Sequence, residues 1–130
     1  MSGVTLPKII MKIEELIEAS KDNYEEKHFE ACVNRSYYAM FHSVQAFLFI
    51  QNFHSKTHVG AHSKFRELYI KTGLLDTTLT DKLQRSFVKR QFSDYDYEEV
   101  TEEQAVEAIE DAEAFVKATM TYLKQNNHLK

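Results

Sequence analysis

Four groups of residues in this 130-residue chain have the types and spacing to do chemistry. Arg35, Tyr38 and His42 stand three and four residues apart, which puts them on one face of a helix. A guanidinium, a phenol and an imidazole in one stripe can bind an anion and move a proton at a cleft. A plainer reading makes Arg35 a buried cation satisfied by an internal acid, with Asp94 or Asp96 as the partner. Both readings place the stripe inside the molecule. The second group is Arg90, Asp94 and Tyr95. Arg90 and Asp94 are four apart and meet if the helix continues. Arg90 would hold a phosphate, with Asp94 or Tyr95 orienting it; the alternative is a helix-end ion pair with Tyr95 and Tyr97 covering the core.

The remaining two groups are weaker. His54, His58 and His62 recur every four residues, a spacing that suits a transition metal on a continuous helix. Ser55-Lys56-Thr57 and Gly60 interrupt the run, and no carboxylate or Cys lies nearby, so no metal is expected. Lys82, Arg85 and Lys89 share a helical face that could track phosphates, though an ordinary solvated face has the same pattern. A P-loop, a dinucleotide glycine fingerprint, a nucleophile elbow and zinc-finger spacing are all absent, and no cofactor is expected.

The elements that must position these groups are helices. The stretch Ala31–Ser55 has no Gly or Pro, and Arg35 is its one obligate charge. Apolar residues fall on nearly every face, so the stretch is expected to be a central helix surrounded by protein, running from about Tyr24 to about Phe53. Asn34, Arg35, Ser36, His42, Ser43 and Gln45 interrupt it too often for a membrane span. A first helix starts at Thr5-Leu6-Pro7 with Ile9, Ile10, Ile13, Leu16 and Ile17 as its stripe, and ends near Lys21–Asn23. A third spans about His58 to Lys71, and a fourth about Asp76 to Ser93, followed by a polar, aromatic loop from Asp94 to Val100. Thr101-Glu102-Glu103-Gln104 is a capping box that opens the fifth. The expected fold is all-α: an up-and-down bundle of about five helices, in one domain over residues 1–130, around a long second helix.

Composition agrees with a globular protein: 43% hydrophobic and 28% charged residues, with one Pro and three Gly. Cys32 is the single cysteine, which excludes an internal disulfide and suits a reducing cytoplasm. Met1–Thr5 carries no basic region and no apolar run follows, so no signal peptide is expected. The net charge of −4 hides an asymmetry. Residues 54–90 carry eight basic against three acidic residues, and residues 91–116 carry ten acidic and no basic ones. Either the two sets pair across helix faces, or a basic surface for phosphates adjoins an acidic one.

Asn34-Arg35-Ser36-Tyr37-Tyr38-Ala39-Met40-Phe41-His42, then Ser55-Lys56-Thr57-His58, Lys71-Thr72-Gly73-Leu74-Leu75, and Arg90 through Tyr95 together resemble the HEPN domain superfamily, over about residues 8 to 124. The closest likeness is to small stand-alone prokaryotic members. The resemblance implies a helical bundle that usually forms a homodimer, often beside a minimal nucleotidyltransferase partner in a toxin–antitoxin pair. Many members are metal-independent ribonucleases with an Arg followed, after a few residues, by a His. Arg90 matches that Arg, but no His occurs between His62 and His128, and Asp94 stands close to where one would be. An aspartate beside an arginine is a weak base, whereas cleavage through a 2′-hydroxyl needs one near neutral pKa. Two readings follow: a ribonuclease with Arg90, Asp94 and Tyr95 at its site, helped by Arg35 or His42; or a non-catalytic module whose same residues hold a nucleotide, an RNA phosphate or the partner.

Overall fold

The computed structural model describes residues 3–97 and 99–129, and at 92–96 only the course of the backbone. The chain forms five α-helices: α1 (Leu6–Glu25), α2 (Phe29–Phe49), α3 (His58–Phe65), α4 (Thr78–Asp96) and α5 (Glu102–Gln125). A π-helical turn, Arg66–Ile70, continues α3. There is no strand among the described residues, and the fold is an all-α bundle. No helix is long and apolar enough to cross a membrane among the residues described.

Helix α2 is the centre of the bundle, and each of the other four packs on it. At 21 residues it is about 31 Å long, taking about 1.5 Å per residue. Tyr37, Met40, Val44, Phe47 and Leu48 are fully buried on it. Burying one side chain the size of Phe47 contributes about 1.5–3 kcal/mol, so α2 supplies much of the drive to fold. Small residues let its neighbours approach. Ser20 of α1 meets Ser36 of α2 at 2.6 Å between hydroxyl oxygens, and α5 presents Ala105, Ala108, Ala112 and Thr119, all buried. Two further buried hydroxyls are satisfied within their own helices: Ser43 donates to the Ala39 carbonyl at 2.9 Å and Thr119 to that of Phe115 at 2.8 Å. Cys32 is fully buried among them, and burial pushes its thiol up, as suits a packing residue.

Helices α1 and α2 divide the chain differently from the expected boundaries. α1 runs on to Glu25, past the expected end, and α2 begins at Phe29 and stops at Phe49. The reason lies at two residues that carry no glycine signal. Lys27 and Asn52 both adopt the left-handed conformation, at φ 65° and 58°. At each, the amide one residue further on closes the helix end: His28 N–H to the Asn23 carbonyl at 2.8 Å, and Phe53 N–H to the Leu48 carbonyl at 3.0 Å. This is the Schellman closure, which glycine usually enables. Lysine tolerates that conformation less well than glycine does. Lys27→Gly should therefore raise the unfolding free energy by about 0.5–1 kcal/mol, measured by urea denaturation. A decrease would show that the lysine side chain contributes something the exposed position does not suggest.

The start of α3 is set by hydroxyls. Thr57 Oγ1 accepts from the Gly60 amide at 3.0 Å, and Ser55 Oγ donates to the Thr57 carbonyl at 3.1 Å. A Cβ on Gly60 would stand 2.6 Å from Ser55 Oγ and 2.7 Å from Thr57 Oγ1. Glycine at this position therefore lets the capping loop close, and that loop fixes His58 as the first residue of α3. The capping box of α5 forms as expected, with Gln104 N–H on Thr101 Oγ1 at 3.1 Å and Thr101 N–H on Gln104 Oε1 at 3.0 Å.

One arginine of the basic segment, Arg85 on α4, pairs with the acidic segment on α5. Arg85 grips Asp111 with two bonds, Nε at 2.9 Å and Nη2 at 2.8 Å, and reaches Glu107 at 3.4 Å. One member of the Lys82–Arg85–Lys89 face is thus committed to an internal carboxylate and is not available to a phosphate track.

Candidate functional site

Arg90, in the last two turns of α4, lies against α2. Its Nη1 donates to the Tyr38 hydroxyl at 3.2 Å. Its guanidinium carbon stands 5.3 Å from the centre of the Tyr37 ring, 5.4 Å from that of Tyr38 and 6.0 Å from that of Phe87. A cation over aromatic faces is stabilised by about 0.5–2 kcal/mol per favourable contact, so the arginine is held in place by rings. Phe87 precedes Arg90 by three residues on the same helical face.

Two histidines complete the cluster from α3. The Tyr37 hydroxyl sits between them, 2.6 Å from His58 Nδ1 and 3.1 Å from His62 Nε2. The His58 ring stacks on Phe41 with centres 4.2 Å apart and lies parallel to Phe87 at 6.1 Å. His62 is buried at 3% exposure, whereas His58 is only half-buried. Burial pushes the His62 imidazole down to about 4, with repulsion from His58 and Arg66 adding to it. Burial also lowers His58, and the Arg90 charge lowers it further. Burial raises the Tyr37 phenol, and this outweighs the opposite pull of Arg90, so its hydroxyl stays protonated. The result is a fixed cation beside a half-exposed neutral imidazole, backed by a buried Tyr–His pair. Such a site can hold an anion and exchange a proton with it.

The sequence-derived candidates meet this geometry unevenly. Arg90 and Tyr38 are brought together. His42 stands one turn along α2 from Tyr38, with ring centres 6.4 Å apart, and lies near enough to His58 to feel its charge. Burial, then Lys12 and His58, lower the His42 imidazole. His42 also lines a groove of about 820 Å³ with Lys8, Lys12, Phe49, Phe53 and His54. Arg35 does not join them. It is exposed, and its Nη1 bonds to the neighbouring Asn34 side chain at 2.6 Å; the side chains of Asp94 and Asp96, its expected partners, lie outside those described. The cause of its exposure is the rotation of α2. Its buried residues at 32, 33, 36, 37 and 40 turn position 35 outward, and the stripe of 35, 38 and 42 follows the less covered side of the helix. Asp94 and Tyr95 lie outside the described side chains, as does Asp96. The backbone there continues α4 to Asp96, where a loop was expected from Asp94. In the three-histidine series, His54 precedes α3 while His58 and His62 lie on it, and no group of three or more His, Cys, Asp or Glu that could hold a metal ion is found among the described residues.

Tyr37, Phe41 and Phe87 join the cluster without standing among the sequence-derived candidates, and His58 and His62 stood there only as parts of a metal series. The signal was present as two pairs four residues apart, Tyr37/Phe41 and His58/His62, but nothing in the sequence says that α3 lays its pair against that of α2.

A model of the HEPN domain matches residues 8–123 of this sequence. The chain belongs to the HEPN domain family. Among its relatives is a Methanocaldococcus jannaschii protein named "Putative toxin MJ0142", 34% identical over 126 residues, covering 96% of this chain and 86% of that one. An Archaeoglobus fulgidus protein named "UPF0332 protein" is 36% identical over 118 residues, covering 90% of this chain and 94% of its own length. A second Methanocaldococcus jannaschii protein, "Putative toxin MJ0605", is 33% identical over 112 residues, covering 86% of this chain and 84% of its own. The likeness spans both halves of the cluster, since Tyr38 and Arg90 both fall inside every part of the chain that the family match covers. This HEPN protein therefore carries its ring-bound arginine within the family domain.

Proposed function

We propose that this HEPN protein is a toxin-like module that holds an RNA phosphate at Arg90 and cleaves the strand there without a metal. The observation that carries the reading is Arg90 itself, seated on Tyr37, Tyr38 and Phe87 with the His58 imidazole close enough to feel its charge. A planar guanidinium matches a phosphodiester oxygen pair, and Tyr38 at its side offers a ring on which a base can stack. The toxin names of two relatives support a place in a toxin–antitoxin pair. In that reading the protein acts in the cytoplasm as a homodimer, with a minimal nucleotidyltransferase as the partner that the family resemblance implies.

The test is RNA binding and cleavage in EDTA, with total tRNA, ribosomal RNA and a random-sequence RNA pool as substrates. Arg90→Ala should weaken binding about tenfold or more, the equivalent of one lost charge-assisted contact, and reduce cleavage with it. Arg90→Lys should recover only part of the loss, because an ammonium cannot pair both oxygens. If wild-type protein binds RNA and cleaves none, the site is a binding module. If Arg90→Ala binds and cleaves as the wild type does, the RNA site is not at Arg90.

A further inference from the structure

We infer that His58 is the acid–base residue of this site: its Nε2 takes the proton of a ribose 2′-hydroxyl beside the phosphate on Arg90, while Tyr37 and His62 behind it fix its tautomer. The inference rests on the RNA reading above and names a catalytic residue for it, one supplied by a different helix from the arginine.

The proposed tautomer belongs to one direction of the hydrogen-bond chain. Tyr37 has one hydroxyl proton and two imidazole neighbours, His58 Nδ1 and His62 Nε2. With His62 neutral and carrying its proton on Nδ1, its Nε2 accepts, and the phenol is its donor. The Tyr37 oxygen then accepts from His58 Nδ1–H. That leaves the lone pair of His58 on Nε2, which has no hydrogen-bond partner among the described residues. A base at Nε2 needs this tautomer, and a hydrogen bond at the other ring nitrogen is what fixes it. Phe41 and Phe87 on the ring faces hold its plane. The groups facing His58 are Tyr37, Tyr38 and His42 from α2, His62 from its own helix and Arg90 from α4. None of these described groups is an acid. Its place as the first residue of α3, at the positive end of a helix, works against its protonation. A phosphate arriving at Arg90 brings negative charge and raises the affinity of His58 for the proton at the moment it is needed.

The step balances without a metal or co-reactant. The 2′-oxygen bonds to phosphorus as His58 Nε2 takes its proton, and the bond from phosphorus to the 5′-oxygen breaks. The leaving oxygen takes a proton from water, and His58 returns its own to water. The products are a 2′,3′-cyclic phosphate and a 5′-hydroxyl.

The test uses the full chain with the same RNA substrates in EDTA. His58→Gln should keep RNA binding and lose cleavage about a hundredfold or more. His58→Ala should recover cleavage when free imidazole is added, a readout that a structural histidine would not give. The wild-type kcat/KM should rise with pH through a midpoint below that of an ordinary imidazole, and Tyr37→Phe should move that midpoint. Circular dichroism on each variant confirms the helical fold. Cleavage by His58→Gln at the wild-type rate overturns the inference and leaves Arg90 as the RNA site. So does wild-type protein that binds RNA without cleaving it. Wild-type protein that neither binds nor cleaves RNA overturns the RNA reading itself.

Discussion

Arg85→Ala should lower the unfolding free energy by about 3 kcal/mol, and Asp111→Ala by only about 1–2 kcal/mol, although the two residues form one ion pair. The difference follows from where each partner sits. The Asp111 side chain is 8% exposed and that of Arg85 is 45% exposed. Removing Asp111 leaves a guanidinium that can swing into water and still reach Glu107, a surface pair worth little by itself. Removing Arg85 strands a carboxylate that has little access to water. Breaking a buried pair usually costs about 3–5 kcal/mol, and the exposure of Arg85 places this one at the lower end. The pH dependence separates this explanation from simple loss of packing. Burial already raises Asp111 above the ordinary carboxylate value, with Arg85 opposing it. Without Arg85 the folded state binds this proton more tightly than the unfolded state does. Stability then falls as pH rises through the folded pKa and is regained on acidification. Arg85→Ala should therefore be closest to wild type at low pH and furthest from it at neutral pH, in urea titrations across that range. A deficit independent of pH would assign the loss to packing of the arginine stem.

Much of this fold was legible because its signals are local. The Thr101–Gln104 box, the Thr5 cap with Pro7 behind it, and the unbroken apolar run of α2 each depend on residues within a few positions of one another. The end of α1 was not legible, because Lys27 takes a conformation that sequence reading assigns to glycine. The rotation of α2 was hidden for another reason. A helix with apolar residues on most faces gives little indication of which face is least covered, and Arg35 was placed inside when it is outside. The site shows the same division. Arg90 and Tyr38 could be chosen by residue type, yet they are 52 positions apart, and their 3.2 Å bond depends on how α4 docks on α2. His58 was seen only as one third of a weak metal series. Its partner Tyr37 is a core aromatic as well: a fully buried ring whose one polar atom links two histidines. A buried hydroxyl needs a partner, and two imidazoles four residues apart were the available ones.

The buried end of that chain should make the protein acid-sensitive. His62 is held at about 4 in the folded state against an ordinary 6.5. Between those values the unfolded chain binds this proton and the folded chain does not, so stability rises with pH across the window and is lost on acidification from about 6.5 to about 4. Above the window the group is neutral in both states and contributes no pH dependence. At about 1.4 kcal/mol per pKa unit, the full loss is up to about 3 kcal/mol. His58 and His42 are lowered too and add to the same slope, and the carboxylates titrate near its acid end. The measurement is therefore a difference: thermal or urea unfolding of wild type and His62→Gln from pH 7 to pH 4. The glutamine amide can still accept from Tyr37 but carries no titrating group. It loses the ring contact with Phe87, whose centre is 5.1 Å away, so the variant should start less stable at pH 7. On acidification the two stabilities should converge, and by pH 4 the variant should have lost less than the wild type. Parallel curves would mean that His62 gains a proton in the folded state without penalty. The Tyr37 hydroxyl would then have to turn its proton away from His62, reversing the direction of the chain that sets the tautomer of His58.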